Sequence, residues 1–330
     1  MKKTLICLLT FAALLVCAWN PPKEYENAYL YGAKAKLTFR VTDSQGIPVT
    51  NVDVRVVFML PQGKYTMSNE KTDTNGLLVV EGKTSGKVNF QFTKEGHYET
   101  RYSRSFLGSE RDRVYVKEGK MQPWNPTIEI TLKEKRNPIP MYAKSTTVFL
   151  SKKNEPFGYD FKMGDLVEPH GKGKEVDVTF MYSSDFAGAK EHRYTNQIVV
   201  ASVNPNEGFI NFPNDNSPFR SVYEAPVTGY WTPIELYRKS QNQATLEEVQ
   251  FDGSYYFVFR SRVKLDDDGN IISAHYGKVT GLDYGEAPSD KGEGRVEITF
   301  YFNPTPNDRN LEYDPNENLF DKKKFRGMQP

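Results

Sequence analysis

Cysteine is nearly absent. Cys7 and Cys17 are the only two in 330 residues, and both fall in a leading segment that reads as removable, so the remaining chain is expected to form no disulfide and no thiolate metal site. Histidine is scarce as well. His97, His170, His192 and His275 are widely spaced, and no H-E-x-x-H pair joins any two of them, which gives metal ligation no footing and leaves no cofactor to expect. No apolar run beyond residue 18 approaches the roughly 18 residues of a membrane span. Neither sign of charge dominates, with 43 Lys and Arg against 42 Asp and Glu; without Lys2 and Lys3 the remainder stands at −1. A nucleic-acid or membrane-surface partner would call for a concentrated positive field, so the balance argues against both.

What is present begins with Met1-Lys2-Lys3 and an apolar run from Leu5 to Val16, a basic n-region followed by an h-region of signal-peptide length. Residues 1–18 are therefore expected to be removed on export, with Val16-Cys17-Ala18 directing the cut before Trp19. The competing reading takes Leu14-Leu15-Val16-Cys17 as a lipobox and makes Cys17 the lipidated first residue. Either way the expected location is periplasmic, surface or extracellular.

The 20 Tyr and 21 Phe favour strands. Lys36-Leu37-Thr38-Phe39-Arg40-Val41 alternates with period two, and Asp43-Ser44-Gln45-Gly46 supplies a turn. Val52, Val54, Val56 and Phe58 then return on one face. Asp73-Thr74-Asn75-Gly76 is the next tight turn. Further strand signals run through 78–80, 88–92, 128–132, 176–180, 197–203, 255–263, 271–279 and 296–302, with a hairpin turn at Asp267-Asp268-Gly269-Asn270. Only 245–249 has helical character. Pro138 and Pro140 disfavour both helix and central strand, so 136–144 reads as a linker. The expected architecture is all-β: two β-sandwich-type domains, 33–135 and 145–320, after an N-terminal signal peptide and before a solvated tail, 321–330, that carries Lys322-Lys323-Lys324.

The run from Val41 to Val54 with its Asp43-x-x-Gly46-x-Pro48-Val49 turn, followed by Thr72-Asp73-Thr74-Asn75-Gly76 and by Lys94-Glu95-Gly96-His97-Tyr98, resembles the carboxypeptidase regulatory-like (transthyretin-like) family. The resemblance covers 33–135. It implies a small Ig-like sandwich that accompanies enzymes and exported proteins without catalysing anything itself. The segments 124–144 and 301–312 look like parts of a group of exported bacterial proteins with this two-part layout, a likeness that brings no activity with it.

Candidate chemistry is sparse. Asp266 to Asn270 lacks the flanking ligands of a calcium loop, since Lys264 and His275 stand where Asp and Glu would be needed, and it reads as a turn. Glu168-Pro169-His170-Gly171-Lys172-Gly173 is a polar loop in which His170, with Asp165 or Glu168, would be the working pair of a hydrolase; no nucleophile motif accompanies it. Between Asn204 and Pro233, Phe209, Phe212, Phe219, Tyr223, Tyr230 and Trp231 sit among Pro, Asn and Gly in a long loop. Tyr223, Tyr230 and Trp231 are the expected ligand contacts if the aromatics stack on sugar rings; the other reading folds them inward as the loop's own core. The expectation is an exported, non-catalytic binding or structural protein with a glycan or envelope protein as partner. A carbohydrate-binding module and a hydrolase are the alternatives.

Overall fold

Alternation of apolar and polar residues becomes alternation of buried and exposed positions along most strands, and this sets the architecture. The computed structural model describes residues 23–106, 115–186, 193–215, 217–242, 245–320 and 328–330. The leading segment with Cys7, Cys17 and Trp19, as well as His192 and the Lys322–Lys324 run, lies outside them. The first half contains α1 (Lys23–Tyr31), β1 (Ala33–Thr42), β2 (Asp53–Met59), β3 (Tyr65–Lys71), β4 (Leu77–Thr84), β5 (Lys87–Thr93), β6 (Thr100–Ser105), β7 (Val116–Lys117), β8 (Lys120–Met121) and β9 (Thr127–Thr131). One sheet has the order β3-β2-β5-β6. The other runs β4-β1-β8-β7, with β9 also pairing β1. Leu37, Phe39 and Val41 of β1 face Val54, Val56, Phe90 and Phe92 across a single core, which α1 closes with Ala28 and Tyr25.

The second half contains β10 (Ile139–Leu150), β11 (Phe157–Asp160), β12 (Asp165–Leu166), β13 (Val178–Phe186), β14 (Tyr194–Ala201), β15 (Gly208–Pro213), β16 (Ile234–Asn242), β17 (Thr245–Val249), β18 (Tyr255–Leu265), β19 (Ile271–Glu286), β20 (Gly294–Phe302) and β21 (Tyr313–Asn318). Two six-stranded sheets, β15-β18-β19-β20-β10-β21 and β12-β11-β13-β14-β16-β17, enclose a core rich in Phe and Tyr. The protein is all-β, with several sandwich-like sheets and α1 as the one α-helix among the described residues. No described helix is long and apolar enough to cross a membrane.

Three local expectations change. Residues 139–144 belong to β10 rather than to a linker. Pairing of β10 with β20 begins only at Tyr142, and β21 meets it at Ile139 and Met141, so Pro140 interrupts no ladder bond. Residues 208–213, expected as loop, form β15 on β18. Residues 245–249 are an edge strand on β16, not helix. The Asp-led turns at Asp43, Asp73 and Asp266 share one geometry: each carboxylate accepts the amides two and four residues on at 2.7–3.1 Å. In each, the following Gly is at positive φ. That hydrogen bonding makes Asp266–Asn270 a hairpin turn.

Candidate functional site

The expected aromatic platform is not assembled. Phe209 and Phe219 are fully buried. Phe212 stacks on Tyr256, in a small cluster against the second face of the β18–β19 sheet that Tyr230 also joins. The Tyr230 hydroxyl donates to the Pro226 carbonyl at 2.8 Å, Arg260 lies over its ring, and burial raises its phenol pKa. Tyr223 points toward the first half of the chain, donating to the Glu134 carbonyl at 2.5 Å beneath the Arg136 guanidinium, 3.9 Å from its ring centre; burial pushes its phenol up to about 12. Of the three expected contacts, Trp231 alone stands open, 41% exposed. Its ring is edge-on to Phe257 and its backbone is bridged to Phe209. The inward-folding reading describes this segment better than the platform does.

The hydrolase pair is not assembled either. His170 is exposed and sets its ring against Phe157 at 4.7 Å. The Asp165 carboxylate accepts the amides of Leu166 and Lys172 instead. Nearby Asp160 takes the amides of Met163, Lys174 and Glu175 and an Arg262 Nη at 2.8–3.2 Å, while buried Asp177 accepts from Phe161, Ser261 and Arg262. Burial, the largest influence on Asp160, opposes its ionisation, yet the amides and Arg262 together hold its carboxyl below the usual range. These are satisfied structural bonds that fasten the segment 162–175 around β12. Among the described residues no group of three or more His, Cys, Asp or Glu is placed to hold a metal.

Charged residues absent from the sequence expectation gather where the two halves meet. Lys133, just after β9, is buried, and its ammonium donates to the carbonyls of Phe219 and Ser221 at 2.9 and 3.0 Å and to the Asp215 carboxylate at 2.5 Å. Glu312, just before β21, is equally buried and accepts from the Tyr98 hydroxyl at 2.8 Å and from the amides of Arg136 and Asn137 at 2.9 and 2.6 Å. Lys278 of β19 has no exposed surface. Its ammonium donates to Ser221 Oγ at 3.0 Å and lies 4.8 and 4.7 Å from the Phe219 and Tyr301 ring centres. Burial, seconded by neighbouring Lys133 and opposed by Glu312, lowers its pKa to about 7.

Beside this cluster lies a cleft of about 1120 Å³ walled by both halves, with Tyr98, Glu99 and Arg101 on one side and Thr280, Thr299 and Tyr301 on the other. The chain's own residues 328–330 also line it. Met328 packs beside Met141, Tyr301 and Tyr313, and the Tyr301 hydroxyl donates to the Gln329 carbonyl at 2.7 Å. The sequence signal for this region was faint: Lys94 to Tyr98 was legible as a hairpin, but nothing local announces that its tyrosine reaches 214 positions along the chain to Glu312.

No family model and no curated protein matches the chain. Among solved structures, 3-chlorocatechol 1,2-dioxygenase from Rhodococcus opacus 1CP is 11% identical with a TM-score of 0.26, over 31% of this chain and 60% of that one. Catechol 1,2-dioxygenase of Acinetobacter radioresistens is 12% identical with a TM-score of 0.26, over 32% of this chain and 53% of that one. The chain thus spans between half and two thirds of the length of these enzymes. Likeness at this level assigns neither fold nor activity.

Proposed function

We propose that the chain is an exported, non-catalytic binding protein of the cell envelope or extracellular space, whose ligand is an extended peptide segment of a partner seated in the cleft between the two halves. The observation that carries this is the tail itself: residues 328–330 lie in the cleft with an apolar side chain docked and a backbone carbonyl hydrogen-bonded, which is how a peptide is held. The mixture of Glu99, Arg101, Lys135 and Arg220 with hydroxyl groups around it suits a polar backbone and charged side chains better than a purely apolar ligand. The resemblance of 33–135 to a non-catalytic sandwich family supports the same class, as does the engagement of the buried carboxylates in structural hydrogen bonds.

The test is fluorescence polarisation with a labelled decapeptide matching residues 321–330, titrated with a Met328→Asp chain whose own tail is weakened. Saturable binding that is weakened by Thr280→Trp, which would put a bulky ring on the cleft wall, is the expected result; no saturable binding refutes the reading. A second reading, a glycan held on the open Trp231 face, rests on that ring's exposure and predicts glycan-array signals abolished by Trp231→Ala.

A further inference from the structure

On the outer face of the β4-β1-β8-β7 sheet, Lys34 of β1 is registered against Lys83 of β4 on one side and Lys120 of β8 on the other, and Lys120 against Lys117 of β7. Four lysines thus form one row across four hydrogen-bonded strands, about 14 Å from end to end at the usual strand spacing. All four side chains are on the outward positions, because their neighbours Ala33, Ala35, Thr84, Val116 and Met121 are buried. Like charges placed directly opposite destabilise a sheet, and the neighbouring rows avoid this: Lys36 pairs Glu81 at 3.9 Å and Arg40 pairs Glu129 at 3.6 Å. The lysine row has no acid partner among the described residues. Lys120 meets the Trp124 ring, the Glu24 carboxylate is engaged by the Gly119 amide at 2.6 Å, and Glu118 lies in the turn between β7 and β8. The near-zero net charge is therefore an average that hides a local positive field.

We infer that this face docks on an anionic phospholipid surface. A sheet face that carries four lysines on registered outward positions presents several cations to a plane of phosphates, and each lysine near such a surface adds to the attraction. At the same end, α1 runs through Gly32 directly into β1, three residues before Lys34, and leaves Tyr29, Leu30 and Tyr31 65%, 49% and 71% exposed. Amphipathic aromatics beside lysines are the composition that settles at the headgroup boundary.

The experiment is vesicle sedimentation with residues 19–330, which keep every described element, at 50 and 500 mM salt. Vesicles of phosphatidylcholine with roughly one third phosphatidylglycerol are compared with phosphatidylcholine alone, and a phosphorylated soluble polysaccharide serves as competitor. Binding to the anionic vesicles is expected to fall about tenfold or more in high salt and by about the same factor in a Lys34→Gln/Lys83→Gln/Lys117→Gln/Lys120→Gln chain. A Lys36→Gln/Arg40→Gln chain should retain it. All three chains should unfold cooperatively, the quadruple variant at no lower temperature than the parent because like-charge pairs are relieved, and the double variant at most slightly lower because two exposed ion pairs are lost. Equal binding by the quadruple variant, binding to neutral vesicles, or displacement by the polysaccharide at lower charge concentration than the lipid would each overturn the membrane assignment. None of these outcomes depends on the cleft.

Discussion

Replacing Lys278 with Met would test the junction's electrostatics directly. The unfolded chain holds a lysine proton up to its ordinary value of 10.5, whereas the folded protein releases it at about 7. A base whose folded value is depressed costs stability wherever the unfolded chain is protonated: the penalty is complete below pH 7, shrinks between 7 and 10.5, and is absent above. At 1.36 kcal/mol per unit, the ceiling at neutral pH is about 5 kcal/mol, reduced by the favourable faces of Phe219 and Tyr301. Methionine keeps the length and apolar stem and removes the proton; its own cost is the orphaned Ser221 hydroxyl, about 1 kcal/mol. Urea denaturation followed by circular dichroism should therefore show Lys278→Met the more stable form at pH 7, with the advantage shrinking by about 3 kcal/mol on going to pH 9.5. The tyrosines, whose phenols burial raises in the fold, are common to both chains, so their contribution cancels in the difference between them. A stability difference flat from pH 7 to 9.5 would refute the argument, because it would mean that Lys278 carries the same charge folded and unfolded.

Two further substitutions probe the other buried charges. Glu312→Ala removes the acceptor for Tyr98, Arg136 and Asn137 and should cost about 3 kcal/mol or more; calorimetry is expected to show one transition for the parent chain and two for the variant as the halves uncouple. Arg262→Ala leaves Asp160 and Asp177 buried without their cation and should lower the free energy of unfolding in urea by about 3–5 kcal/mol, and a cost under 1 kcal/mol would show that the backbone amides alone hold the two carboxylates.

Strands were readable where one face is buried and one is wet. In β1, β2 and β5 the period-two pattern of the residues is the pattern of burial, and the Asp-x-x-Gly turns carry their hydrogen bonds within five residues, so local sequence suffices. Pro140 misled because a proline's effect depends on whether its nitrogen faces a partner, and that is decided by where β20 ends. Thr245–Val249 misled because Leu-Glu-Glu favours helix while the open edge of β16 offers a ladder. The junction was not readable at all. Lys278 occupies a position that alternation along β19 would leave in water; the 214–231 segment and the first half of the chain cover that face, and their arrival depends on contacts between residues far apart in sequence. Tyr223 illustrates the same point from the other direction, since an aromatic in a Pro- and Asn-rich stretch looks available until Glu134 and Arg136 are brought to it.

The pairing of β1 has a mechanical consequence. It is flanked along its length, antiparallel to β4 on one side and parallel to β8 and then β9 on the other, and α1 joins its start through Gly32. A pull that reaches β1 along the strand axis acts at right angles to the hydrogen bonds on the β4 side and across the slanted ones toward β8 and β9. The bonds would then have to give way together in shear, with no order in which they could be unzipped one at a time. Tethered from that end, the protein would withstand sustained force better than one whose first strand lies at a free sheet edge.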